Sequence, residues 1–271
     1  KEGLDLLGGA GGNKKDNVSL CDLAVGRGGD INKWLRNGIK TVLGIDISRG
    51  AIDEARRRLA DMKGSKLLKG ASITFLCGDS TIKMSRDGIK GLCEENREDE
   101  EKELKAFLKD KAGSGELKGL FDMIICNFSV HYMFQNEESV DGFCHNVSML
   151  LKKGGCFIGT LLNSDTLEKK LGSDGRLEAK IKGDTFYSIE KVKGGENTIV
   201  VSRVGWDKPI PEPMLNLKTL KRTIENKTSL RMVKNKSFRD YYGKKEKEKF
   251  GLSEGEKTIS FLHETFMFIK N

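Results

Sequence analysis

The chain has 271 residues, 37% of them hydrophobic, with 48 lysines and arginines against 40 acids, a formal charge of +8 and a pI near 9.0. That length buries a large core in one α/β domain with insertions, and the basic balance favours polyanionic partners such as nucleic acid. No stretch approaches the ~20 apolar residues of a membrane span and no apolar signal core opens the sequence, so a soluble intracellular protein with no membrane partner is expected.

Residues 1–17 are rich in Gly, Lys and Asn and read as a flexible lead-in to one domain over 18–271. From there VSLCDLAV, TVLGIDI, ITFLCGD, FDMIICNF and CFIGTLLN read as strands alternating with amphipathic helices, which predicts an α/β fold with a mostly parallel sheet covered on both faces. Residues 85–118 interrupt the alternation, and EENREDEEKELKAFLKDK within them reads as a solvated, charged helix in a surface insertion, its acids leading its lysines.

In the last hundred residues DTFYSIEKV and NTIVVSRV suggest a hairpin, and WDKPIPEPM, with all three prolines, a stiff extended connection. LNLKTLKRTIEN follows as a helix, LRMVKN as a strand, SFRDYYGKKEKEKF as a basic helix and TISFLHETFMFIK as a long final strand. Lys and Arg outnumber acids about three to one over 218–249, which fits an RNA track or merely a solvated surface. Six cysteines (Cys21, Cys77, Cys93, Cys126, Cys144, Cys156) form no C-x-x-C pair, which implies a reducing compartment, and the three histidines lack ligand spacing, so no metal site is predicted.

The stretch LCDLAVGRGGDINKW carries the first chemical signal. A glycine turn after a first strand lets a ligand approach the backbone, and the next helix favours polar groups at its start. A dinucleotide turn needs a third glycine where Ile31 stands; branching there pushes the helix outward, and Asp30 repels phosphate. Asp46, ending the second strand 20 residues after Gly26, suits ribose hydroxyls, and Asp79, ending the third, suits an adenine edge. Singly each acid reads as a cap or turn former, but together they describe a pocket for a nucleoside carrying a cation, and S-adenosylmethionine fits. At the end of the fourth strand, CNFSVHYMF bunches aromatics that suit base stacking or, for Phe134, plain packing.

In this order LAVGRGGDINKW, GIDISRGAIDEARRRLADM, FDMIICNFSVHYMF, KKGGCFIGTLLNSDTL and PIPEPMLNL resemble the messenger RNA cap (guanine-N7) methyltransferases, from about residue 18 onward. The resemblance implies a class I, Rossmann-like methyltransferase: a seven-stranded sheet with its last strand antiparallel and an inserted segment over 165–227 that helps close over the cap. It implies that Gly26, Gly28, Asp30, Asp46, Ile47, Asp79, Ser80, Asn127 and Phe128 line the S-adenosylmethionine pocket. It implies further that Phe128, His131, Tyr132, Glu212 and His263 hold the cap guanine while Arg27 and Arg58 face the triphosphate. Asn127 stands where the family usually has glutamine, Arg27 where it has lysine and His263 where it has tyrosine.

The implied reaction transfers a methyl group to guanine N7, which carries no proton at neutral pH, so no general base and no catalytic side chain is expected. The implied setting is a nuclear monomer acting on the capped 5′ end of mRNA beside the capping guanylyltransferase or the RNA polymerase II machinery. Two other readings stay open: a methyltransferase for another RNA base or a metabolite, and an RNA-binding subunit with a vestigial cofactor pocket.

Overall fold

The structure is a computed structural model that describes residues 18–111, 116–192, 194, 197–243 and 251–271. Strands β1 (Ser19–Asp22), β2 (Thr41–Asp46), β3 (Ser72–Cys77), β4 (Phe121–Asn127) and β5 (Leu151–Leu162) are joined by helices α1 (Ile31–Arg36), α2 (Arg49–Asp61), α3 (Arg97–Lys111) and α4 (Glu137–Leu150). Beyond them lie α5 (Ser164–Glu168), β6 (Arg176–Ile181), β7 (Asp184–Lys191), β8 (Thr198–Arg203), β9 (Ile210–Pro213) and α6 (Leu217–Lys227). The chain ends with β10 (Leu230–Ser237), α7 (Phe238–Tyr241), α8 (Glu254–Ser260) and β11 (His263–Lys270).

Seven strands form one sheet in the order β10-β11-β5-β4-β1-β2-β3, with β1 to β5 parallel and β11 antiparallel to both its neighbours. The strands are apolar on both faces because each face has its own core. Along β4, Met123 and Ile125 pack under α1 and α2, while Ile124 and Cys126 face α3, α4 and α6. Short polar side chains start the helices: Ser48 caps α2, Asn136 caps α4 and Asn216 caps α6, each accepting a backbone N–H. Among the described residues no helix is long and apolar enough to cross a membrane.

The expected hairpin is present as β7 and β8 but belongs to a second, antiparallel sheet of four strands in the order β6-β7-β8-β9. The proline-rich connection contributes β9, an edge strand, where a missing N–H is tolerated.

Four expectations are corrected. Helix α3 is not solvated: Leu104, Phe107 and Leu108 are in the core, and the side chain of Glu100 is 1% exposed. That carboxylate accepts from Arg49, from Arg56 Nη2 at 3.0 Å and from the Cys77 amide at 3.1 Å, so the charge-rich sequence conceals an inward-facing ion cluster. Glu100→Gln should cost about 3 kcal/mol in urea unfolding, because Arg49 loses this carboxylate with part of its guanidinium buried, while Arg56 keeps Glu103 at 3.0 Å. An unchanged midpoint would show the cluster to be energetically idle.

The final strand begins at His263, since Thr258–Ser260 ends a helix opened by a Ser253–Glu256 capping box. Helix α7 spans only Phe238–Tyr241, and residues 244–250 of the expected basic helix lie outside the described residues. Finally, Cys77 and Cys93 are joined in a disulfide with Cα atoms 5.5 Å apart, which corrects the reading of all six cysteines as reduced. The loop after β3 returns to its own strand, with Cys93 N donating to Cys77 O at 2.9 Å, a closure that spacing alone does not show.

Candidate functional site

The parallel strands end along one edge of the sheet, and the turn after β1 gathers there with Asp46, Asp79 and Asn127. Gly26 and Gly28 both take left-handed backbone, φ +54° and +70°. Gly26 has open space where a Cβ would lie, so a ligand can approach it, and its amide donates to Asp46 Oδ2 at 2.8 Å. Gly28 serves packing: a Cβ there would lie 2.9 Å from Ile31 Cδ1 and 3.1 Å from Ala55 Cβ. Ile31 therefore does not hold α1 away from the turn, as its branching suggests; it is buried and fills the place that Gly28 vacates.

Acids surround this turn. Asp46 accepts from Gly26 and, through Oδ1 at 2.9 Å, from Ser48, and each oxygen keeps a second lone pair. Asp30 pairs with Lys33 at 2.6 Å and accepts from Asn127 Nδ2 at 3.4 Å, which joins the β4 end to the turn. Asp22, which the sequence reading passed over, lies beneath at 4% exposure; burial, reinforced by the charges of Asp30 and Asp46, raises its pKa to about 8. The Asp30 and Asp46 carboxylates at this turn favour a cationic ligand and oppose a pyrophosphate.

A cavity of about 420 Å³ runs from Asp46 and Ile47 past Asp79, Ser80 and Thr81 to Ser129, Tyr132, Met133 and Ile210. Asp79 spends Oδ1 on Thr81, and Ser80 turns its hydroxyl to Leu23 O at 2.9 Å. Ile47 is 69% exposed, with its carbonyl within 4 Å of both sulfurs of the Cys77–Cys93 bond. A larger groove of about 690 Å³ runs along the β3 edge between α2 and α3 and shares no residue with this site.

At the far end the second sheet delivers Glu212 on β9. Tyr132, in the 3-10 turn Val130–Phe134 after β4, donates its hydroxyl to Glu212 Oε1 at 2.9 Å. His131 Nε2 comes within 3.3 Å of Glu212 Oε2, but among the described residues neither ring nitrogen makes a hydrogen bond although the residue is 4% exposed. A buried polar atom without a partner costs ~1–3 kcal/mol, a debt a hydrogen-bonding ligand removes. Burial and the Glu212 charge hold the Tyr132 hydroxyl well above the usual phenol range and bring that of Tyr187, on β7, up to about 12, so both stay neutral.

Phe128 is 53% exposed in left-handed backbone, φ +58°, a conformation costly for phenylalanine, and its amide donates to Thr160 Oγ1 at 2.8 Å. Thr160 can reach it because β4 and β5 pair Asn127 with Thr160, a register the sequence does not disclose. His263 lies beside Phe128, ring centroids 5.4 Å apart, with Nδ1 3.0 Å from Ile259 O, and burial lowers its pKa so that it stays neutral. Arg27 is exposed on the turn, whereas Arg58, on α2, is engaged by Glu54 at 2.7 Å and is absent from the cavity wall. The structure thus groups Asp46 and Asp79 with Tyr132 around one cavity and sets His131 and Glu212 beside Tyr132, while Asp30 stays at the glycine turn and Arg58 stands apart.

The fold is that of the class I S-adenosylmethionine-dependent methyltransferases. An S-adenosylmethionine-dependent methyltransferase from Clostridium acetobutylicum superposes with a TM-score of 0.59 at 17% identity, over 100% of this chain and 91% of that one. The CcbJ methyltransferase from Streptomyces caelestis gives 0.59 at 13%, over 98% and 88%, likenesses of fold alone. Residues 9–257 match the mRNA (guanine-N(7))-methyltransferase domain, and the chain belongs to that family. The mRNA cap guanine-N(7) methyltransferase of Caenorhabditis elegans is 30% identical over 186 residues, 68% of this chain and 42% of that protein. The mRNA cap guanine-N(7) methyltransferase 1 of Arabidopsis thaliana is 32% identical over 174 residues, 63% and 39% respectively. The chain thus spans about two fifths of the length of these relatives.

Proposed function

We propose that this domain transfers the methyl group of S-adenosylmethionine to N7 of the guanine at the capped 5′ end of RNA. The observation that carries the reading is Tyr132: it walls the cavity that holds Asp46 and Asp79 and at the same time donates to Glu212 beside the unpartnered His131. A donor pocket and a base pocket therefore share a wall.

The residues around the turn fit the cofactor. Asp30 and Asp46 supply negative potential for a sulfonium and an ammonium, Asp22 beneath them adds its charge only as it ionises towards pH 8, and open space at Gly26 admits the methionine end. Asp46 would accept from the ribose, Asp79 from the adenine amine, and Ile47, Ser80, Gly28, Asn127 and Phe128 would complete the walls. When bound, S-adenosylmethionine supplies an activated methyl group on sulfur and departs as S-adenosylhomocysteine. The side chains bind, orient and exclude water. Glu212 accepts from the two N–H groups on the guanine edge, which an adenine edge cannot offer. Tyr132 holds that carboxylate in place, His131 and His263 bound the ring, and Arg27 would meet the triphosphate. Alignment of nucleophile and methyl can supply ~7–11 kcal/mol of the barrier reduction.

The eukaryotic relatives support a nuclear setting, with the capping guanylyltransferase or the RNA polymerase II machinery as neighbours. The test is incubation with methyl-labelled S-adenosylmethionine and GpppA, followed by mass analysis of the bases. Label is expected on guanine as 7-methylguanine; label on adenine, or none on the cap, overturns the reading.

A further inference from the structure

Beyond His263, the site continues into Phe238, a ring that neither guanine nor cofactor recognition uses. Phe238, which opens α7, sits 5.7 Å from the His263 ring and 6.1 Å from Phe128, centroid to centroid. The three rings come from three separate segments: the end of β4, the end of β10 and the start of β11. Phe128 meets both partners nearly edge-on, at interplanar angles of 82° and 73°, and still leaves half its surface to solvent. A hydrophobic core would have closed over such a ring, and a strained backbone holds it out instead.

Cations flank the cluster on the same edge of the sheet. Lys236 Nζ stands 4.0 Å over the Tyr241 ring, and the Arg239 guanidinium 5.1 Å over Phe261. Aromatic faces interleaved with lysine and arginine are the composition that binds single-stranded nucleic acid, the rings taking bases and the cations the backbone. His263 packs on Phe128, which leads directly into the turn carrying His131 and Tyr132, so the cluster adjoins the guanine-edge groups.

We propose that Phe238, with Phe128, forms a second stacking platform that takes the base of the first transcribed nucleotide, while Lys236 and Arg239 receive the phosphate that follows it. The inference rests on the cap reading above. It makes the domain selective for a dinucleotide cap over a free guanosine triphosphate, through the base across the triphosphate bridge.

The test compares Phe238→Ala and the volume-keeping Phe238→Leu with the native chain on three acceptors: GTP, GpppA, and GpppA in which the second nucleoside lacks its base. For the native chain, kcat/KM for GpppA over that for GTP is expected to exceed the ratio in either variant by about 5- to 20-fold, as stacking of one base implies. Removing the second base should cost the native chain the same factor and cost the variants nothing further. An unchanged GpppA-to-GTP ratio in both variants, or a base-removal penalty that survives in them, overturns the platform. If the native chain methylates none of the three, the cap reading itself has failed, a result separate from the loss of selectivity alone.

Discussion

Replacing Glu212 by alanine is expected to lower kcat/KM for an unmethylated cap by a factor of ~10² to 10³, the largest loss of any single substitution at the guanine end. Two hydrogen bonds to an ionised acceptor contribute ~1.5–3 kcal/mol each, and a site built around a polar edge rejects its ligand when one side of the match disappears. The substitution also strips the partner from the Tyr132 hydroxyl and the nearby charge from His131 Nε2, both inside the protein. The loss should concentrate in discrimination between bases. With inosine in place of guanosine, the native chain forfeits the contact from the exocyclic amine to Glu212, and Glu212→Ala has nothing left to forfeit. Steady-state rates on GpppA and its inosine analogue measure this. Equal guanine-to-inosine ratios in the two proteins would remove Glu212 from the base pocket, whatever happened to the absolute rate.

The difference between what was legible in the sequence and what was not follows the range of each interaction. The parallel core announced itself because strands covered on both faces are continuously apolar, and the glycine turn because left-handed backbone needs glycine. Asp46 and Asp79 were readable as acids at successive strand ends, positions fixed by the alternation of strand and helix. Helix α3 misled because its charges face outward along most turns while one of them, Glu100, turns inward to meet arginines 44 and 51 residues away. The second sheet exceeded the expected hairpin because its outer strands are weak signals, β6 being only six residues with one of them buried and β9 holding two prolines in four. Thr160, Phe238 and the Cys77–Cys93 closure were invisible for a single reason. Each acts across a contact set by sheet register or loop return, and spacing along the chain carries no trace of either. Asp22 was visible as a letter but not as a charge, since its environment depends on acids 8 and 24 residues further on.

Asp22 carries the strongest pH dependence expected of the fold. Its carboxyl is buried beneath the glycine turn, the charges acting on it from Asp30 and Asp46 are both negative, and only the Ala24 amide, 3.1 Å from Oδ1, favours its ionised form. The folded pKa of about 8 lies above an ordinary value near 3.8, so between those values the native state holds a proton that the unfolded chain has released. Stability therefore falls as pH rises from about 4 to about 8 and levels off above, at ~1.4 kcal/mol per unit, amounting to ~4 kcal/mol by pH 7. Asp22→Asn keeps an oxygen for the Ala24 amide and removes the titration, so its advantage over the native chain should be absent near pH 4 and greatest above pH 8. Urea melts across that range test the sign, and a substitution that destabilises at pH 8 would show that the acid is already ionised and compensated. The same carboxyl links stability to function. A sulfonium and an ammonium arriving above the turn favour its ionised form, so S-adenosylmethionine should bind the native chain more tightly as pH rises from 6 to 8. Asp22→Asn should flatten that slope, and a slope that survives the substitution would assign the dependence to another group.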